Sequence, residues 1–145
     1  MKLWNKSKIQ ETIKLMINSF NLIFVLGLFI LLIAWYYNDL IFLLFSKILP
    51  EFHPQSKKLI LPLLSSGLLW QLSFITHKML ELKEQTILMV IAIIPSLIIN
   101  VIGNIYFLPK LGGIATAYTA LFSALIYCII TGFHFIYSIN KMKIS

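Results

Sequence analysis

An all-α integral membrane bundle of about four transmembrane helices is predicted by three features of this sequence. First, four apolar stretches, 18–37, 59–76, 86–108 and 113–139, are each long enough to cross a bilayer within its 145 residues, since a crossing takes about 17–25 residues. Second, 59% of the residues are hydrophobic and 12% charged, where soluble domains carry about 45–50% and about 25%; the mean hydropathy is +0.90. Third, no stretch alternates strictly between apolar and polar residues, which excludes a barrel of strands about 10 residues long. In lipid the backbone must then satisfy its own hydrogen bonds as helices.

Two regions are expected: a basic amphipathic segment over 1–17 and a four-span membrane domain over 18–145. In the first, Leu3, Ile9, Ile13 and Ile17 oppose Lys6, Lys8, Glu11 and Lys14. Such a segment lies on a membrane surface or stays a solvated leader. The first span ends on Trp35, Tyr36 and Tyr37, an aromatic belt. Its length and the absence of a small-x-small cleavage site argue for a retained span rather than a signal peptide. Residues 40–45 are too short to cross again and lie at the interface or prolong the helix. A loop over 46–58 carries Pro50, Glu51, His53, Pro54, Lys57 and Lys58.

The second span is interrupted by Pro62, Ser65, Ser66, Gly67, Gln71 and Ser73, and a compact charged loop, HKMLELKEQ, is expected over 77–85. The third span contains Pro95 and ends at a tight turn, Pro109-Lys110-Leu111-Gly112. Pro62 and Pro95 each remove a backbone hydrogen bond and are expected to bend their spans. The fourth span is followed by Lys141 and Lys143.

All of the positive side chains are lysines, and the net charge is +7. The lysines fall in the gaps between apolar runs, which argues against a nucleic-acid partner and for membrane lipid. With the N-terminus inside, eight lysines lie on the inner side and four on the outer. Both termini are therefore expected in the cytoplasm.

Catalysis in a membrane calls for ionisable side chains within the bilayer. The spans offer Gln71, Ser96, Asn100 and Asn104, with His134 near the inner end of the fourth. Paired carboxylates, metal clusters and serine–base arrangements are lacking, so no enzyme, cofactor or metal is expected. Ser96, Asn100 and Asn104 are spaced four apart and share one helix face. With Gln71 they are the candidates for lining a substrate path; interhelical glue is the other reading of such a stripe. Gly112, Thr116, Ala120, Ala124, Cys128 and Gly132 recur every four residues and form a ridge of small side chains suited to helix packing. The far side carries Phe122, Leu125, Ile129 and Phe133. His53 and His77 are expected as loop residues at the surface.

The stretch IINVIGNIYFLPKLGGIATAYTALFS, residues 98–123, resembles a signature region of polysaccharide flippases in the multidrug/oligosaccharidyl-lipid/polysaccharide exporter superfamily. Asn100 and Asn104 match its Asn-containing span and Leu108-Pro109 its turn. Residues 112–117 match its Gly- and Ala-rich run, with closer glycines and Thr116 among the alanines. The run DLIFLLFSKILPEF, residues 39–52, and the loop 77–85 resemble neighbouring parts of that family.

The resemblance implies the last four spans of a transporter of about twelve, in a bacterial inner membrane, exporting a lipid-linked oligosaccharide. It implies a partner too: an N-terminal transporter lobe, with the chain a fragment or one piece of a split transporter. The alternatives are an accessory or structural multi-pass protein, or an independent four-span carrier of lipid-linked sugar working with a second copy of itself.

Overall fold

The computed structural model describes residues 6–48 and 53–144. Residues 1–5 of the expected amphipathic segment lie outside that range, as do Pro50 and Glu51 of the expected 46–58 loop. The chain is all-α, with no strand among the described residues. Its elements are α1 (Lys6–Tyr36), α2 (Asn38–Ile48), a 3-10 helix (Pro54–Leu59), α3 (Ile60–Leu82), α4 (Thr86–Leu111) and α5 (Gly113–Ile144). Four helices are long and apolar enough to cross a membrane: Ile9–Tyr36, Pro54–Leu82, Thr86–Leu111 and Gly113–Lys141.

Each crossing alternates in direction. Gly27 of α1 meets Leu68 of α3 while Met16 meets Met79, so these helices run antiparallel. Ser96 pairs with Ser123 and Gly103 abuts Thr119, so α4 and α5 are antiparallel too. Thr76 pairs with Thr131, and Met79 clusters with Phe135, making α3 and α5 parallel. The most extensive contacts are α3 with α5, then α4 with α5, then α1 with α3. The helices therefore form a row, α1–α3–α5–α4, with α1 and α4 on the outside.

The two outer helices present most of their surface outward, and it is apolar: Val25, Phe29 and Leu32 on α1, Ile91, Leu97 and Ile105 on α4. This is the reverse of a soluble core and is what lipid as solvent requires.

Several boundaries differ from the sequence expectation for identifiable reasons. Residues 6–17 are the first turns of α1, continuous with the span, rather than a separate surface segment. Between Ile9 and Tyr36 nothing breaks the helix, and Met16 is buried against Met79 and Phe135. α2 follows after the single residue Tyr37, whose N–H bonds Ile33 while its carbonyl accepts from Ile41; it prolongs the first helix.

α3 runs on to Leu82, so most of the expected 77–85 loop is helical. The true connection is 83–85, closed by Glu84 N–H on the Glu81 carbonyl and Gln85 N–H on the Leu80 carbonyl. This is a Schellman closure, with Glu84 at φ 54 in the left-handed position usually held by glycine. Pro109 lies inside the last turn of α4, and the chain reverses at Gly112, with φ 61. Pro62 is the third residue of α3, where a helix lacks an intrahelical acceptor for its N–H, so it marks the passage from the 3-10 helix rather than a bend.

α5 threads between α3 and α4 and buries a seam of Ala117, Ala124, Thr131 and Ser138. These residues are seven apart. A strict four-residue spacing drifts by about 40° per step on a helix of 3.6 residues per turn. The ridge of six small residues therefore winds around α5 instead of holding one face. Ala124 is buried in the bundle, Ala120, Cys128 and Gly132 are half-buried, and Gly112 and Thr116 are exposed.

Candidate functional site

The polar side chains within the bundle gather on the two faces of α5. On the α3 side, Ser73 and Thr76 sit one helical turn apart and are buried. The Thr76 hydroxyl reaches Thr131 Oγ1 at 2.8 Å, and Thr131 donates to the Tyr127 carbonyl at 2.9 Å. Ser73 donates to the Leu69 carbonyl at 2.7 Å and meets the Cys128 thiol. Each hydroxyl finds an acceptor without water, which a hydrocarbon setting demands.

One turn further along α3, His77 Nδ1 lies 2.6 Å from the Tyr127 hydroxyl. Tyr127 is 3% exposed and packs its ring against Trp70, with centroids 5.0 Å apart. The other ring nitrogen, His77 Nε2, lies 4.0 Å from Glu81 Oε1, and Glu81 Oε2 pairs with Lys78. A polar chain thus runs from a phenol near the middle of α5 to an exposed carboxylate near the end of α3.

His77 is therefore a half-buried helix residue with a partner, not a loop residue. The sequence held a signal for this. Ser73, Thr76, His77 and Leu80 fall at helical spacing across the point where hydropathy drops, so the pattern continues past Thr76 even though the apolar run ends there.

On the α4 side, Ser96 and Ser123 hydroxyls are 2.9 Å apart and buried. Gly103 lets the backbones approach: a Cβ there would stand 2.4 Å from Thr119 Cγ2. Asn104 donates to the Asn100 carbonyl at 2.8 Å and to Asn100 Oδ1 at 3.2 Å, while Asn104 Oδ1 is buried without a partner. Gln71 is exposed on the other flank of α3. There, with Thr12, Ser19, Phe74 and Lys78, it lines a groove of about 320 Å³ between α1 and α3.

The four path candidates are not brought together. Ser96, Asn100 and Asn104 lie along α4, with Ser96 bonded to α5, while Gln71 faces α1. Among the described residues, no group of three or more His, Cys, Asp or Glu is placed to hold a metal ion.

At the end that carries Lys14, Lys78 and Lys141, the Lys83 ammonium is pushed below its ordinary value of 10.5, first by burial and then by Lys141. At the opposite end Lys57 pairs with Asp39 and ties the 3-10 helix to α2. Comparison of the chain with protein-family models, with curated proteins and with solved structures finds no match.

Proposed function

We propose that this chain is the C-terminal part of a lipid-linked polysaccharide flippase of a bacterial inner membrane, with both termini in the cytoplasm, acting with an N-terminal transporter lobe. Two things support the reading. Residues 98–123, which carry the resemblance to that family, fold as a hairpin of α4 and α5 turned at Gly112.

The observation that carries the need for a partner is where the polar groups go. Ser73, Thr76, Ser96, Ser123 and Thr131 are buried in bonds between or within helices. No lysine lies between Lys14 and Lys47, Lys58 and Lys78, Lys83 and Lys110, or Lys110 and Lys141. An anionic head group crossing about 30 Å of hydrocarbon needs a hydrated path with countercharge. In the proposed transporter the N-terminal lobe supplies it.

The test is complementation of a flippase-deficient strain, read out as surface polysaccharide. Expression of this chain alone is expected to give no rescue, and co-expression with an N-terminal lobe to restore export. Full rescue by the chain alone would replace this reading with an independent small carrier. Failure of both would favour an accessory membrane protein.

A further inference from the structure

The chain from Tyr127 through His77 to Glu81 is more than packing requires. Thr76–Thr131 and Ser96–Ser123 already join α5 to its neighbours with neutral hydroxyls. Here an imidazole is set between a buried phenol and an exposed carboxylate, and imidazole is the side chain suited to taking up a proton near neutral pH.

The two protonation states require different bonding. In the neutral ring, with Nδ1 bare, the Tyr127 hydroxyl donates to it across 2.6 Å. In the charged ring both nitrogens donate. Nδ1–H then gives its proton to the phenol oxygen, and the phenol must send its own hydrogen elsewhere. Tyr127 is 3% exposed and stacked on Trp70, so its surroundings must shift to accept it. Nε2–H meanwhile faces Glu81 Oε1, now 4.0 Å away and outside bonding distance, and a positive ring draws that oxygen in.

We propose that Tyr127, His77 and Glu81 form a proton-binding site, in which uptake of a proton by His77 reverses its bond to Tyr127, closes Glu81 onto Nε2 and loosens the packing of Tyr127 on Trp70. The proposal stands whether or not the chain takes part in transport. The charges around the ring come from each packed element. Lys78 and Glu81 share α3, and Tyr127 faces His77 from α5. Glu11 and Lys14 on α1, Lys83 and Glu84 in the turn before α4, and Lys141 on α5 lie at the same end of the bundle. Lys78 holds Glu81 Oε2 and leaves Oε1 for the imidazole. His134 sits further along α5 beside Tyr137 and has its own orphaned Nδ1, so it serves as a control.

The experiment uses the full chain in lipid nanodiscs with Trp4→Phe and Trp35→Phe, leaving Trp70 as the fluorophore. Its emission is followed from about pH 8 to about pH 5, the range in which histidine changes charge. A red shift with a single midpoint is expected on acidification, kept in His134→Gln and lost in His77→Gln. Glu81→Gln, which removes the carboxylate that closes onto the charged ring, is expected to move the midpoint. A flat wild-type profile, the same shift in His77→Gln, or an unmoved midpoint in Glu81→Gln would each overturn the site.

Discussion

At the residue scale two costs among the described residues can be relieved, one conformational at Glu84 and one electrostatic at Lys83. Glu84 occupies the left-handed position that closes α3, at φ 54. A side chain there costs about 1–2 kcal/mol, and glycine avoids it at an entropic cost of about 0.5–1 kcal/mol. Glu84→Gly is therefore expected to stabilise the protein slightly, by about 0.5–1 kcal/mol, measurable as a raised thermal midpoint in detergent. Gly112 is the mirror case: φ is 61, and Gly112→Ala should lower the midpoint.

Lys83 is depressed by burial and by Lys141. The unfolded chain binds this proton more tightly, so stability rises with pH between the lowered value and the ordinary 10.5. Below that window the folded state carries the full penalty. Lys83→Gln is expected to raise the neutral-pH midpoint and to flatten its rise toward alkaline pH. An unchanged pH dependence would mean that another group sets it.

At the element scale, what the sequence made legible is what hydropathy reports. All four crossings are present where apolar runs predicted them, because a helix in lipid needs little beyond sustained apolarity. Their ends were less legible. The span through Thr76 continues to Leu82 because polar residues with helical spacing still bury Met79 and Leu80. Residues 6–17 join α1 because Met16 has a partner on each of two other helices. Neither partner is visible from local composition.

The small-residue pattern of α5 was legible as a tendency to pack but not in its phase, since a helix between two neighbours buries two faces. Of the ridge, Ala124 is the residue with 0% exposure, whereas Leu125 is 39% exposed. Ala124→Leu is expected to cost about 1–3 kcal/mol by overpacking, while Leu125→Ala and Thr116→Leu are mild. Equal thermal midpoints for all three would remove α5 as the central packing element. The site candidates show the same limit. Ser96, Asn100 and Asn104 share a face as their spacing requires, but that Ser96 spends its hydroxyl on Ser123 depends on a helix whose register sequence spacing does not give.

At the scale of the whole molecule, the alternating directions of the helices place residues 14, 78, 83 and 141 at one end and residues 47, 57, 58 and 110 at the other. If the lysine-rich end faces the cytoplasm, Gln55 and Glu84, both exposed, lie on opposite sides of the membrane. Single cysteines at these positions, in a chain with Cys128→Ala, can be treated with an impermeant thiol reagent on intact cells. Labelling is expected at 55 and not at 84, and the reverse pattern would invert the orientation.

The lengths of the helices have a consequence for where such a bundle is comfortable. At 1.5 Å per residue, the apolar stretches of the helices, 18–37 on α1, 86–108 on α4 and 113–139 on α5, measure about 30, 34 and 40 Å. The oily slab they enter is about 30 Å deep. The hydrophobic mismatch of α4 and α5 is relieved by leaning the helices or by thickening the surrounding lipid. Because α1 touches the bundle mainly through α3, α5 and α4 can lean without dragging it with them. Lengthening the acyl chains of the host lipid from 14 to about 20 carbons should therefore raise the thermal midpoint steadily and reduce the tilt of α5 measured by oriented spectroscopy. The bilayer itself becomes a dial on the α1–α3 contact at Gly27 and Leu68.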